Sequence, residues 1–210
     1  CVRDLLLGVT PEDWDVATNA KPEKIGKIFL RSFADNKFGT VTVLTGSENP
    51  RLKEIEITPH RIDEKYSDKR HPDSIRYAKT IEEDLARRDF TINAMAAIPE
   101  ASKLKIRIID PFEGQEDLKN KLIKAVGSPE DRFSEDALRM MRAVRFATTL
   151  DFKIEKKTGQ AIKKNAPWLQ AISKERIRDE LLKIIMAEKA ADGLELLREL
   201  SLLRYIIPEL

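Results

Sequence analysis

Asp13-Trp14-Asp15-Val16-Ala17, near the start of the chain, alternates side chains suited to water with side chains suited to a core. The alternation predicts a β-strand, in which residues two apart point to the same face, so that Asp13 and Asp15 lie together and Trp14 points the other way. Two carboxylates this close repel each other unless a cation lies between them. Mg²⁺, a hard ion that prefers oxygen ligands, is the predicted partner of this face.

A second strand is predicted at residues 54–58, where acids alternate with Ile55 and Ile57. Glu56 lies on its polar face. If this strand pairs beside the first, Glu56 becomes a third carboxylate, and such a trio can hold two metal ions, one activating a hydroxyl group and one stabilising a leaving pyrophosphate. An isolated Asp-x-Asp is also compatible with a solvated acidic turn, so this alternative stays open here.

The segment Arg87-Arg88-Asp89-Phe90-Thr91-Ile92-Asn93-Ala94 lies within a helix predicted at residues 81–97. On a helix, Asp89 and Asn93 are four residues apart and share a face. Arg88 is suited to binding a triphosphate or a ribose. The competing interpretation is an exposed helix face with ordinary ion pairs, each contributing little stability.

A helix is also predicted at residues 135–150, where the chain carries an acid followed by three arginines at intervals of three. At about 100° per residue, Asp136, Arg139, Arg142 and Arg145 form one winding polar stripe opposite an apolar face. Asp136 and Arg139 can offer paired acceptors and donors to the edge of a base. Arg142 and Arg145 can bind phosphates, although a surface helix with ion pairs between turns is equally compatible with the stripe.

A third helix, predicted at residues 174–186, is preceded by Ser173 as a capping residue. Arg176 and Glu180 lie one turn apart on one face of this helix. We interpret this segment as structural rather than catalytic.

The composition excludes several classes of protein. The 210 residues carry 38 basic and 36 acidic side chains, a net charge of only +2, so any surface that binds nucleic acid must be local. Cys1 is the one cysteine and His60 and His71 the two histidines, which excludes an internal disulfide and disfavours a zinc cluster. The sequence contains no phosphate-binding glycine loop, no Rossmann fingerprint and no membrane-length apolar run. A reducing, cytoplasmic compartment is expected.

The predicted elements change character near residue 125. Before it, the patterns predict a helix at residues 22–33, strands at residues 40–44 and 104–109, and a polar loop at residues 62–74. After the linker Gly127-Ser128-Pro129 helices dominate, one of them at residues 156–164. The expected fold class is therefore α+β, with a mixed first domain at residues 1–125 and an all-α second domain at residues 126–210.

Taken in order, these segments resemble those of the class II tRNA nucleotidyltransferases and bacterial poly(A) polymerases. The matching segments are Val2-Arg3-Asp4-Leu5-Leu6-Leu7-Gly8, Asp13-Trp14-Asp15, Arg87 to Ala94, Asp110-Pro111-Phe112-x-Gly114 with Asp117-Leu118, Glu135-Asp136-x-x-Arg139 with Arg142 and Arg145, and Ser173-x-Glu175-Arg176. Each segment is weak evidence alone, but the order and spacing of the set are highly specific, and the set covers nearly the whole chain.

The resemblance implies a polymerase-β-like nucleotidyltransferase head at residues 1–125, followed by a helical neck and the start of a body. It implies Mg²⁺ as the cofactor, with Asp13 and Asp15 as its ligands and Glu56 as a third catalytic carboxylate. CTP or ATP would be bound by one set of polar residues, with Asp136 and Arg139 pairing with the base edge. That set is Arg3, Arg88, Asp89, Asn93, Asp136, Arg139, Arg142 and Arg145.

The implied activity is the addition of CCA to the 3′ end of tRNA, with release of pyrophosphate and with neither DNA nor a membrane as partner. A poly(A) polymerase or a CC-adding enzyme of the same family is the alternative. The segment from Tyr66 to Pro72 resembles a family loop that CC-adding enzymes tend to lack, which favours CCA addition. A non-catalytic RNA-binding module is the alternative from another class.

Overall fold

The computed structural model of the chain describes residues 1–35, 39–64, 74–100 and 105–209, so the predicted loop Tyr66–Pro72 lies outside the described residues. Packing divides the chain into two compact units that are interleaved in sequence. The first comprises Cys1–Glu64, Ser74–Arg87 and Met95–Pro111, and the second includes Arg88–Ala94 and Phe112–Leu210. The division of the chain into one domain at residues 1–125 and another at residues 126–210 remains a prediction.

The first unit mixes short strands and helices, as expected. Its elements are α1 (Val2–Leu6), β1 (Asp15–Thr18), α2 (Pro22–Ile28), β2 (Ser32–Asp35), β3 (Thr40–Leu44), β4 (Glu54–Pro59), β5 (Arg61–Glu64), β6 (Ser74–Tyr77), α3 (Ile81–Ala86), β7 (Ala96–Glu100) and β8 (Lys105–Ile109). The predicted strands at β3, β4 and β8 are confirmed, and α1 ends before Gly8, whose φ of 73° suits glycine.

Four strands form a sheet in the order β1-β4-β3-β2, with β1 and β4 parallel and the other pairs antiparallel. Val41, Val43 and Ile57 point to one face and pack with Ile25 of α2 in a buried apolar cluster. Because side chains alternate along each strand, the intervening polar residues of β3 and β4 point to the opposite face. Covering one face with α2 thus leaves the other free to carry polar chemistry.

Two predicted boundaries in the first unit are wrong. The helix predicted at residues 22–33 ends at Ile28, because Ser32–Asp35 pairs as an edge strand with β3. The polar stretch predicted to be loop from residue 62 begins and ends as strand, since β5 and β6 pair with each other in antiparallel register.

The helix predicted at residues 81–97 is also wrong beyond its first turns. Helix α3 starts at a capping box formed by Thr80 and Glu83 and stops at Ala86. The chain then extends, so that Phe90 forms an isolated β-bridge with Ala125, before a short 3₁₀ helix at Thr91–Asn93. Phe90 and Ile92 are fully buried. The free energy gained by burying them in this extended pairing outweighs the helical preference of the flanking residues.

The second unit is mainly helical, as expected. Its elements are α4 (Gly114–Lys119), β9 (Leu122–Ile123), α5 (Pro129–Glu135), α6 (Leu138–Leu150), β10 (Lys153–Ile154), α7 (Lys156–Asn165), α8 (Lys174–Ile185), α9 (Ala190–Glu199) and α10 (Leu203–Ile206). Helix α6 supplies much of the core, with Met140, Met141 and Val144 fully buried. Within the described ranges, no helix combines the length and apolar character needed to cross a lipid bilayer.

The helix predicted at residues 135–150 is interrupted at Asp136, which is extended with φ of −145° and ψ of 105°. Helix α5 is capped by Ser128 and ends at Glu135. The Asp136 carboxylate then accepts a hydrogen bond from the backbone N–H of Leu138 at 3.1 Å, as a capping acid does at the start of a new helix. Asp136 therefore precedes the arginine stripe of α6 instead of lying on it.

Candidate active site

The polar face of the sheet in the first unit gathers the predicted metal-binding carboxylates. Strand β1 begins at Asp15, and Asp13 lies two residues before it, so the strand starts two residues later and ends one residue later than the predicted strand at residues 13–17. Asp15 is the register partner of Glu56, and Glu56 is in turn the partner of Thr42. Neighbouring strands lie about 4.8 Å apart, so Asp15 and Glu56 start from adjacent backbone positions on one face. The structure thus meets the condition on which Glu56 becomes a third carboxylate.

Asp13, Asp15 and Glu56 are exposed and line one open depression of about 650 Å³. Glu54, Lys53 and Phe33 also line it, as do several further residues. Glu12 and Arg51, at the same depression, are paired with each other at 2.6 Å. The depression combines acidic, basic and aromatic side chains, a composition suited to a polyphosphate, a metal ion and a base.

No hydrogen bond or ion pair engages the side chains of Asp13, Asp15 or Glu56 in the part of the chain that the structure describes. Across those same ranges, no group of three or more His, Cys, Asp or Glu side chains is close enough to enclose a metal ion. Mg²⁺ does not need such a cage, since it is usually held by one or two carboxylates together with waters and substrate phosphates. The donor set therefore fits Mg²⁺ through Asp13 and Asp15, with Glu56 beside them.

Two predicted nucleotide-binding arginines lie in different settings. Arg3 is on α1, where its guanidinium donates to Asp4 at 2.6 Å. Arg88 follows the end of α3 and is half-buried. Neither arginine is among the residues that line the carboxylate depression.

Asp89 and Asn93 contact each other, as predicted, but the backbone that joins them is not the predicted α-helix. The Asn93 amide donates to Asp89 at 3.2 Å across the 3₁₀ turn rather than along an α-helix. Asp89 is buried and forms an ion pair with Arg142 at 2.7 Å. Burial alone would raise the pKa of Asp89, but the charge and hydrogen bonds of Arg142 outweigh it and hold the pKa below its ordinary value. Asp89 is thus an ionised anchor for Arg142.

The arginines of α6 are each held by a carboxylate. Arg139 donates to Glu135 at 2.6 Å, and Arg142 to Asp89. Arg145 donates through Nε to Glu180 at 2.7 Å and lies 3.8 Å from the centroid of the Phe146 ring. Burial lowers the pKa of Arg145, and the charge of Glu180 offsets part of this effect. The arginine nevertheless stays protonated at neutral pH.

Asp136 and Arg139, the predicted base-reading pair, are positioned by separate partners. The Asp136 carboxylate receives a bidentate contact from Arg176 of α8, at 3.3 Å and 2.8 Å. The backbone N–H of Arg139 donates to the Asp136 carbonyl at 3.0 Å, so the two residues remain adjacent. Their side chains are fixed by neighbours instead of by each other, which sets the direction of both side chains.

Arg176 and Glu180 are the residues whose importance the sequence only partly indicated. Their shared face on α8 was predicted, but their contacts with Asp136 and Arg145 are long-range and leave no local pattern in the sequence. Glu180 is buried and faces three cations, with Arg142 and Lys183 both at 3.9 Å in addition to Arg145. The structural role predicted for this helix thus consists of holding the arginines and the acid of the predicted site. Ser173 lies at the N-cap, as predicted, but makes no side-chain capping bond.

Two family models match the chain. "Poly A polymerase head domain" matches residues 1–124, and "Probable RNA and SrmB-binding site of polymerase A" matches residues 151–210. The first model contains the carboxylate face, and the second contains α7 to α10.

The chain is similar to CCA-adding enzymes of lactic acid bacteria. It is 50% identical over 184 residues to that of Lactobacillus helveticus, covering 87% of this chain and 44% of the relative. It is 45% identical over 205 residues to that of Ligilactobacillus salivarius, covering 97% and 48%. The chain thus spans about half the length of the curated relatives it matches.

Solved structures are similar over almost the whole chain. The Bacillus stearothermophilus CCA-adding enzyme in complex with CTP matches with a TM-score of 0.83 and 43% identity, covering 96% of this chain and 46% of that one. The Thermotoga maritima CCA-adding enzyme complexed with tRNA matches with a TM-score of 0.79 and 27% identity, covering 99% and 46%. The fold is therefore that of a nucleotidyltransferase head followed by a helical neck region.

Proposed function

The chain belongs to the family of CCA-adding enzymes and poly(A) polymerases, and from this premise we propose that it adds CCA to the 3′ end of tRNA, using CTP and ATP. Residues 1–125 would form the catalytic head, and residues 126–210 the neck and the start of a body that select the nucleotide and bind RNA. Neither DNA nor a membrane is a proposed partner, and the cytoplasm, where tRNA is matured, is the proposed location.

The observation that carries the proposal is the row of unpartnered carboxylates on an open sheet face. Asp13, Asp15 and Glu56 line one depression, and no cation of the described residues forms an ion pair with any of the three. The negative charges on this face would attract a divalent cation. A module that only binds RNA has no need of it.

In the proposed reaction, the terminal 3′ hydroxyl of the RNA attacks the α-phosphate of the nucleotide. A new O–P bond forms as the hydroxyl proton passes to water, the bond from the α-phosphorus to the bridging oxygen breaks, and pyrophosphate leaves with the electron pair of that bond. Asp13 and Asp15 would hold Mg²⁺, and Glu56 would complete the carboxylate face. When bound, Mg²⁺ supplies charge stabilisation to the phosphates and acidifies the attacking hydroxyl. Positioning and charge stabilisation then account for most of the catalysis.

Nucleotide selection is proposed for the residues around α6. Asp136 and Arg139 would bind the edge of the base. Arg176 fixes the side chain of Asp136, and Glu135 fixes that of Arg139. Arg145 has only Nε in a hydrogen bond within the described residues, which leaves its terminal amino groups able to donate to a phosphate or a base. Arg3, Arg88, Asp89, Arg142 and Asn93 complete the proposed set. The solved relatives in complex with CTP, with ATP and with tRNA support these molecules as the ligands.

The test is single-nucleotide analysis of primer extension by the full-length protein. Transcripts of tRNA lacking CCA, ending in C or ending in CC are incubated with Mg²⁺ and with CTP and ATP, singly and together. Two C additions followed by one A and a stop are expected. A long A ladder on unrelated RNA would instead identify a poly(A) polymerase, and CTP binding without any extension would identify an RNA-binding module.

A further inference from the structure

Phe33 is an exposed aromatic side chain on the face of the sheet that carries the carboxylates. The register pairs Phe33 with Thr42, Thr42 with Glu56, and Glu56 with Asp15, so these four residues form one row across β2, β3, β4 and β1. Side chains that are directly opposite in neighbouring strands point to the same face. Phe33 is 56% exposed and lines the same depression as the carboxylates.

Core packing does not account for an aromatic ring at this position. The apolar cluster of the sheet, which contains Val41, Val43 and Ile57, lies on the opposite face against α2. The register partner of Phe33 is the polar residue Thr42, and the described strand order ends at β2. A single exposed phenylalanine is common on protein surfaces, but this one lies in the row of the carboxylates and within a concave site. Its ring is therefore accessible to a ligand in the depression.

The distance between Phe33 and the carboxylates suits a nucleotide. Phe33 is two strands from Glu56, which separates their backbones by about 10 Å. Thr42, the residue between them in the row, has a small side chain and leaves the space above it open. A ribose whose 3′ hydroxyl lies at the carboxylates can therefore place its own base against the ring of Phe33.

We propose that Phe33 is a stacking platform for the 3′-terminal base of the RNA that is extended. The inference rests on the proposed function, which assigns the base of the incoming nucleotide to Asp136 and Arg139 of the second unit and gives Phe33 no role. The terminal base of the RNA changes as CCA is added, so its site must accept unlike bases. An aromatic ring does this because every base has a π-face, whereas hydrogen bonds to a base edge select one base.

The test uses the full-length protein and two RNA hairpins that carry a tRNA acceptor stem. They differ only in the last nucleotide, which has a base in one hairpin and is an abasic ribose with a 3′ hydroxyl in the other. In the presence of Mg²⁺, Phe33→Ala should weaken binding of the first hairpin about fivefold to a hundredfold, as expected for one base stacked on a ring. The affinity for the abasic hairpin should change by less than about twofold. An equal loss for both hairpins, or no loss for either, would overturn the proposal.

Further substitutions separate stacking from apolar packing. Phe33→Leu keeps an apolar side chain and should lose as much affinity as Phe33→Ala, whereas Phe33→Tyr keeps the ring and should bind both hairpins as the wild type does. The matched control is Phe29→Ala, which removes a ring that is 39% exposed but does not line the depression, and it should leave both affinities unchanged. Wild-type affinity in Phe33→Leu would assign the ring to packing and contradict stacking.

Nucleotide addition to the same hairpins distinguishes this proposal from the proposed function. Phe33→Ala should raise KM for the RNA that ends in a base and leave KM for CTP unchanged. A rise in KM for CTP alone would place Phe33 at the incoming base and overturn the proposal. If the wild type adds no nucleotide, the proposed function fails, while the base-dependent affinity still decides the role of Phe33.

Discussion

The carboxylate face of the first unit and the arginines of the second unit are both dense groups of charge, but they differ in how the charge is balanced. Asp13, Asp15 and Glu56 have no partner among the described residues. Arg142 and Arg145 are held by the buried acids Asp89 and Glu180. The carboxylates of the first group have no ion-pair partner among the described residues, whereas the charges of the second group are balanced within the protein.

Under the proposed function, the difference separates chemistry from recognition. Exposed carboxylates without partners contribute little stability, so their removal should damage activity and spare the fold. Arginines anchored by buried acids contribute to stability, because a buried charge left without its partner is costly. The same arginines are also held in fixed directions, which would reduce the entropy lost in the proposed binding of a nucleotide.

The largest expected effect is on catalysis. The double variant Asp13→Asn, Asp15→Asn should lower the single-turnover rate of nucleotide addition by about a thousandfold or more, since the charge stabilisation supplied through the metal is lost. Its melting temperature should equal or exceed that of the wild type, because like-charge repulsion is relieved. The matched control, Glu23→Gln on α2, should change neither quantity, and a clear loss of melting temperature in the double variant would contradict the comparison.

The next effect is on stability in the second unit. Glu180→Gln removes the acid that anchors Arg145 and should lower the free energy of unfolding by about 3 kcal/mol. Urea titration followed by Trp168 fluorescence in a Trp14→Phe background reports on this unit alone. Glu175→Gln, an exposed acid on the same helix, should stay within about 0.5 kcal/mol of wild type. A similar loss of unfolding free energy in the two variants would show that the ion pair of Glu180 with Arg145 does not stabilise the fold.

A smaller loss in the free energy of unfolding is expected from a substitution at Gly193, where α9 approaches α6 and α8. A Cβ atom added at Gly193 would lie 2.6 Å from Oγ1 of Thr148 and 2.7 Å from Cγ2 of Ile184, so Gly193→Ala should cost about 2 kcal/mol. Adding Thr148→Ala should recover part of the loss. The control is Gly159→Ala on α7, where the nearest side-chain atoms are 3.8 Å away and the gain in helix propensity should stabilise by about 0.5 kcal/mol. Equal effects at the two glycines would contradict the packing described here.

The smallest effect is on the pH dependence of stability. The pKa of Asp89 is lowered in the folded chain, so its contribution is present above the unfolded pKa of about 4 and is lost as the pH falls further through the folded pKa. Unfolding free energy measured below pH 4 should therefore fall less steeply with acidification in Asp89→Asn than in wild type. Parallel slopes in the two proteins would argue against an ionised, stabilising Asp89.

The sequence predicted the elements whose side-chain pattern is set by one buried face. Strands β3 and β4 alternate polar and apolar residues, and α7 and α8 carry apolar residues at helical spacing, so their positions could be predicted closely. The predictions were wrong at residues 87–94 and at Asp136, where partners distant in sequence decide the backbone. Phe90 is extended because it bridges to Ala125, and Asp136 interrupts a helix because its carboxylate caps the next one.

The candidate site divides in the same way. Residue types and spacing indicated the Asp13–Asp15 pair, and the strand pattern indicated Glu56 on condition of a pairing that the register provides. The anchoring roles of Arg176 and Glu180 could not be predicted, because a same-face pair on one helix does not reveal which side chains of another helix it meets.

The most direct test of the central claim is to count bound Mn²⁺, as a spectroscopic substitute for Mg²⁺, by the electron paramagnetic resonance of the free ion in the presence of CTP. The wild type is predicted to bind one or two ions per chain, and the double variant Asp13→Asn, Asp15→Asn to lose them while keeping its melting temperature. Equal Mn²⁺ binding by the two proteins would contradict the assignment of the carboxylate face as the metal site.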